Sequence, residues 1–325
     1  MKFRILLCVL AALAAFALPF LLLPQAAPQE APPVTEPSVP EAVQTEPAAS
    51  FDDALTLRVQ TEDGVRELSL HDYLTGVVLA EMPTDFASEA LKAQAVASRT
   101  YALRKSAARK HADADVCGSF SCCQAWIPTE DYTGTEALAK AAQAVRETDG
   151  LVVTYDGALI DATFFSCAAG STESALAVWG SDVPYLQAVE SPEHEERYEE
   201  SVTVSASEFA AVLRERYPEI MLDGTPETWF GAQTCTAGGG LDTVEIGGIS
   251  LRGTELRTLF SLRSTVMTLT PEPDGVKIAT SGYGHRVGMS QYGAEAIAAL
   301  GFDYRTILRY YYRGAALTQM DDLHA

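Results

Sequence analysis

The stretch that most constrains this chain runs from Leu70 to Lys110, LHDYLTGVVLAEMPTDFASEALKAQAVASRTYALRKSAARK, where an apolar run, Leu74 to Ala80, ends on a single carboxylate, Glu81. Pro83 disfavours the α conformation at Met82, so the chain has to turn there. Thr84 and Asp85 are residue types that cap a following helix. Beyond them Leu91, Ala95, Ala102 and Leu103 recur at helical spacing and make one apolar stripe. This pattern predicts Glu81 just before a helix N-terminus and behind an apolar segment. Burial there raises a carboxyl pKa, because the charged form loses its water. A raised pKa is what a general acid needs near neutral pH. The plain alternative is a solvated loop glutamate.

Two segments precede the globular part. Lys2 and Arg4 are followed by an uncharged run from Ile5 to Leu23, which as a helix would span roughly 28 Å, close to the hydrocarbon thickness of a bilayer. Residues 1–23 therefore read as a transmembrane anchor with a cytoplasmic N-terminus and the remainder outside, single-pass in the cell membrane. A cleaved signal peptide is the rival. Residues 24–50 hold seven prolines, four glutamates and no Lys or Arg, and read as an extended tether. Residues 51–325 are globular in composition and long enough for a large core. A formal charge of −21 argues against nucleic acid, whose phosphates need Lys and Arg.

Within 51–325 the pattern is mixed. Leu55–Gln60 and Val65–Leu70 flank Glu62-Asp63-Gly64 as a hairpin, and Leu151 to Phe165 reads as a second hairpin around Asp156-Gly157. Helices are predicted over Thr135 to Thr148, Ser207 to Tyr217 and Tyr304 to Tyr312, and one starting at Ser290. Ser191 to Glu200 reads as solvated, and Leu222 to Gly240 as a loop. Hairpins outnumber βαβ units, so the fold class is α+β, mixed helices and β-hairpins in one domain or two close lobes.

His111, Cys117 and Cys123 lie at equal six-residue steps, with Cys122 as a spare. Thiolate and imidazole together favour zinc over magnesium or calcium. The alternative is a disulfide from Cys117 to Cys122 or Cys123, which an extracytoplasmic compartment permits. Cys235 is either a partner for Cys167 or a lone thiol.

The motifs G-V-V-x-A-E-M-P at Gly76–Pro83 and E-A-L-K-A-Q-A-V-A-S-R-T-Y at Glu89–Tyr101 resemble the core of the SpoIID/LytB family. The resemblance implies a peptidoglycan lytic transglycosylase with Glu81 as its catalytic acid, and a zinc ion on His111, Cys117 and Cys123 that ties down a loop. Ser166, Thr172 and Glu173 sit in a segment similar to the family's Y-F-H-S-T-S-G-G-x-T-E and are implied to line a sugar groove, with Phe165 where the family has His. Trp179 resembles a family aromatic able to stack on a sugar or fill the core. Arg252 to Ser264 resembles R-G-x-x-L-R-x-x-L-x-L-R-S, with Arg257 a candidate partner for a core carboxylate. Gly282 to Ala294 resembles G-W-G-H-G-V-G-M-S-Q-Y-G-A, which makes His285, Ser290, Gln291 and Tyr292 candidates for substrate contact. Arg286 stands there in place of Gly. A loop held by a satisfied histidine is the alternative.

By the resemblance, Glu81 protonates the oxygen leaving C1 of N-acetylmuramic acid and then takes the proton of that sugar's C6 hydroxyl, closing a 1,6-anhydro ring. The implied partners are glycan strands stripped of peptide, an amidase/endopeptidase and membrane sporulation proteins. The rivals are a non-catalytic glycan-binding amidase enhancer and a zinc-dependent wall hydrolase.

Overall fold

The computed structural model describes residues 50–193 and 198–323. The expected anchor at 1–23 and nearly all of the expected tether lie outside the described residues. Among the described residues no helix is long and apolar enough to cross a membrane.

One helix, Ser88–Ala107, is the centre of the larger of two hydrophobic cores. The apolar stripe read from its sequence understates its burial. Ala90, Ala93, Ala95, Ala97 and Ala102 are all buried and lie on several faces. Small side chains let neighbours approach on those faces, and four helices pack there: Leu70–Glu81, Glu136–Arg146, Gln291–Ala299 and Tyr304–Tyr311. The polar residues of the same helix are buried too. Arg99, fully enclosed, donates from Nε to Asp52 Oδ1 at 2.9 Å and from Nη1 to the Leu151 carbonyl at 3.0 Å. That pair fastens the short Phe51–Ala54 helix to the core.

Local signals set most boundaries. Ser69 caps Leu70–Glu81, Thr135 caps Glu136–Arg146 and Asp303 caps Tyr304–Tyr311, each side chain accepting a free backbone N–H. The first expected hairpin forms, with Thr56–Thr61 antiparallel to Gly64–Ser69, and Val116–Cys117 adds a parallel strand to it. The second is shorter than expected. Leu151–Tyr155 pairs with Ala158–Leu159 only, and Phe164–Phe165 leaves to run parallel to Met289–Ser290.

The second core is built from residues 204–278 and interrupts the first in sequence. It holds two antiparallel three-stranded sheets, Ile249–Arg252/Leu241–Ile246/Phe230–Cys235 and Val266–Glu272/Gly275–Ser281/Glu200–Ser205. The strand Phe230–Cys235 lies in a stretch the sequence marks as loop, because its outward residues are small and polar and no alternation shows. Phe209, Trp229 and Phe260 pack as a ring stack at its heart. The α+β assignment holds.

A buried ion pair joins the two cores. Arg286 Nη1 lies 3.1 Å from Glu173 Oε1, and the same carboxylate accepts from the Thr236 hydroxyl and the Gly240 N–H. Arg286 also donates to the carbonyls of Ala168 and Gly238. Its φ of +65° is a left-handed conformation that costs a non-glycine residue free energy, offset here by these contacts.

Candidate active site

Glu81 is the last residue of the helix Leu70–Glu81, and Met82 is its C-cap. The sequence predicts it before a helix N-terminus. The structure instead puts it at a C-terminus, because the apolar run before it is itself helical. Thr84 and Asp85 do not cap the next helix. Ala87 stands at that position, and its N–H is taken by Glu295 Oε2 at 2.7 Å.

The site opens as a cleft of about 710 Å³ lined from both cores, and Glu81 is the one carboxylate among its described lining residues. Its Oε1 accepts the Ala125 N–H at 2.6 Å, and Gln291 bonds to it. Gln291 in turn donates to Gln94 at 3.4 Å, and Gln94 donates to Ser98 at 3.0 Å. The polar residues of the helical motif thus hold the amide that holds the acid. Burial pushes the Glu81 carboxyl above its ordinary value, and the two hydrogen bonds only partly oppose this. The negative end of its own helix acts in the same direction as burial.

Gly76 makes this possible. A Cβ there would lie 2.4 Å from Trp126 Nε1 and 2.5 Å from the Ile127 carbonyl, so glycine lets the loop carrying Ala125 lie against the Glu81 helix.

The predicted substrate contacts divide. Ser166, His285 and Gln291 line the cleft. Thr172, Glu173, Ser290 and Tyr292 do not, and the expectation that they touch sugar is corrected. Thr172 is buried and accepts the Val189 N–H, and Glu173 is spent on Arg286. Ser290 caps Gln291–Ala299 and donates to Glu193 at 2.6 Å, while Tyr292 packs edge-on against Phe86 and Tyr198. Glu193, in a stretch expected to be solvated, is buried and also accepts the Ala168 N–H. Arg286 is likewise buried framework rather than a charge facing the glycan.

His285 lies between Phe165 and Trp179, with ring centroids 5.7 and 5.3 Å away. Its Nδ1 accepts the Val287 N–H. Burial, then the Arg257 guanidinium, lowers its pKa to about 4, so the ring is neutral near pH 7. Trp179 and Tyr283 are half-exposed on the cleft wall. Sequence reasoning missed the Ala125 N–H, since a backbone donor leaves no trace in residue type, and also Tyr101 and Phe120.

Beside the cleft, the ligand atoms of His111, Cys117, Cys122 and Cys123 lie within 4.8 Å of one another. A tetrahedral ion with metal–sulfur bonds of about 2.3 Å places its sulfurs roughly 3.8 Å apart, so this donor set fits zinc with Cys122 included. The five described cysteines are all free thiols, with no disulfide among the described residues. Burial pushes the Cys123 thiol up to about 12, and Lys110 holds that of Cys122 below its usual value.

Residues 59–155, which carry Glu81 and all four of these donors, match the family model SpoIID, stage II sporulation protein. Stage II sporulation protein D of Bacillus subtilis is 34% identical over 98% of this chain and 96% of its own length. The chain belongs to the SpoIID family. The Bacillus amyloliquefaciens stage II sporulation protein D is 35% identical, covering 79% of this chain and 76% of its own. The amidase enhancer of Bacillus subtilis is 29% identical over 75% of this chain but 40% of its own. The SpoIID match therefore extends over both cores, beyond the segment that holds the acid.

Proposed function

We propose that this SpoIID-family protein is a lytic transglycosylase of peptidoglycan, held at the outer face of the cell membrane by residues 1–23. The observation that carries the reading is a single carboxylate, raised in pKa, in a cleft lined with aromatic rings. Ordinary glycosidases use two carboxyl groups, an acid and a base or nucleophile. One is enough when the nucleophile is the substrate's own C6 hydroxyl.

Glu81, protonated, donates to the glycosidic oxygen as the bond to C1 of N-acetylmuramic acid breaks. The resulting carboxylate takes the C6 hydroxyl proton while that oxygen closes on C1, and Glu81 is again protonated. The Ala125 N–H and Gln291 steady the carboxylate in its charged half of the cycle. Trp179 offers a face for a sugar ring. His111, Cys117, Cys122 and Cys123 would hold a structural zinc, which fixes the loop bearing Ala125. The setting is septal wall remodelling during sporulation, beside an amidase/endopeptidase.

The similarity to an amidase enhancer favours one second reading, a glycan-binding subunit that stimulates another enzyme. Purified protein, peptide-stripped glycan and mass spectrometry separate the two. The transglycosylase releases 1,6-anhydro ends, and Glu81→Gln abolishes them. A wild-type protein that binds strands but releases none refutes the proposal.

A further inference from the structure

Four arginines at or near the two cores have polar partners. Arg99 pairs with Asp52, Arg286 with Glu173 and Arg263 with Glu200 at 3.0 Å. Arg252 donates to the Ala177 carbonyl. Arg257 stands in the last turn of Gly253–Leu259 and lines the same cleft as Glu81. Its buried Nε has no hydrogen-bond partner, and among the described residues no salt bridge reaches its guanidinium. The expected core carboxylate is not there.

Arg257 is half-buried, so its charge loses part of its water without a counter-charge, and arginine does not escape that cost by losing its proton. His285 beside it is neutral near pH 7, and among the described residues no carboxylate pairs with it. Arg257 therefore brings an unpaired positive charge to the cleft of a chain of net charge −21. An anion supplied by the ligand is what this position lacks.

We propose that Arg257 binds the free carboxylate of the lactyl ether on N-acetylmuramic acid. This rests on the reading that the cleft holds peptidoglycan glycan. N-acetylglucosamine has no ionisable group, so the lactyl carboxylate is the charge a stripped strand presents. With a stem peptide attached, that carbonyl is an uncharged amide, and the peptide's own carboxylates lie several bonds away. The planar guanidinium matches a carboxylate in a two-bond fork. Arg257 is thus the residue through which the preference for peptide-stripped strands, implied by the family resemblance, acts at the level of binding.

The test measures binding with full-length Glu81→Gln protein, so no turnover is required. Three ligands are compared: peptide-stripped strands, the same strands with lactyl carboxylates coupled to methylamine, and peptide-bearing strands. Stripped strands should bind about 10- to 100-fold more tightly than methylamide strands. Adding Arg257→Gln should bring both to the weaker level, and Arg257→Lys should recover part of the difference. The melting temperature should not fall in Arg257→Gln protein, since the lost cation has no partner. Equal binding of stripped and methylamide strands overturns the assignment, whatever the wild-type protein releases from glycan. Peptide-bearing strands that bind as tightly as stripped ones, and lose that affinity in Arg257→Gln protein, overturn the lactyl source. Absence of anhydro ends with the binding preference intact counts against the transglycosylase reading alone.

Discussion

Replacing Gly76 by alanine separates the chemistry of the site from the stability of the fold. The new Cβ would stand 2.4 Å from Trp126 Nε1, 2.5 Å from the Ile127 carbonyl and 2.8 Å from Trp126 Cδ1. Comfortable carbon contacts are about 3.5–4.0 Å, so the Trp126–Ile127 backbone must retreat by about 1 Å. Ala125 is adjacent, and its N–H sits 2.6 Å from Glu81 Oε1. A retreat of that size stretches the bond to about 3.6 Å, outside hydrogen-bonding range. Alanine gains about 1 kcal/mol over glycine inside a helix, and overpacking loses about 1–3 kcal/mol. The two nearly cancel, leaving a net loss of about 0–2 kcal/mol. Misplacing a reacting group by about 1 Å costs on the order of 100-fold in rate. Gly76→Ala protein should therefore melt close to wild type while releasing 1,6-anhydro ends about 100 times more slowly. Thermal melting and timed mass spectrometry of digests measure both. Wild-type turnover, or a stability gain of the full helix increment, would refute the claim that this contact places the acid.

Asp52→Asn leaves Arg99 charged and unpaired in the core, which should cost about 3–5 kcal/mol and lower the melting temperature on the order of 10 °C. Glu81→Gln should stabilise the protein at neutral pH. The folded-state pKa of Glu81 is raised, so its contribution to stability is complete below the ordinary carboxyl range and is lost as pH rises through the folded value. The advantage of the variant, read from urea unfolding, should therefore vanish on acidification below the ordinary carboxyl pKa. Chelation should lower the melting temperature, and zinc at 100 times its Kd should restore about 2.7 kcal/mol. Cys122→Ser should weaken that restoration as Cys117→Ser does, which a three-ligand site without Cys122 would not show.

What could be read in the residues was local. The helices starting near Thr135 and Ser290, the first hairpin and the apolar-then-acidic pattern ending at Glu81 all follow from neighbours in the chain. The His111–Cys123 spacing was visible as well, although only the fold brings Cys122 to the same point. Hidden were the roles of residues set by distant partners. Glu173 and Ser290 have the chemistry of sugar ligands, yet Arg286 and Glu193 claim them from far along the chain. The burial of Ser88–Ala107 on nearly every face was masked because Gln94, Ser98 and Arg99 read as surface residues until their partners are known. The direction of Glu81 turned on whether Leu74 to Ala80 was helix or strand, which a short apolar run does not decide.

The origin of the oxygen atom that ends up on C1 tests the mechanism most directly. Digesting peptide-stripped strands in heavy-oxygen water should yield muramic acid ends that carry no label, because the oxygen on C1 comes from the sugar's own C6 hydroxyl. Muramic acid ends with one heavy oxygen at C1 would mean that water is the nucleophile, and would contradict the single-carboxylate account.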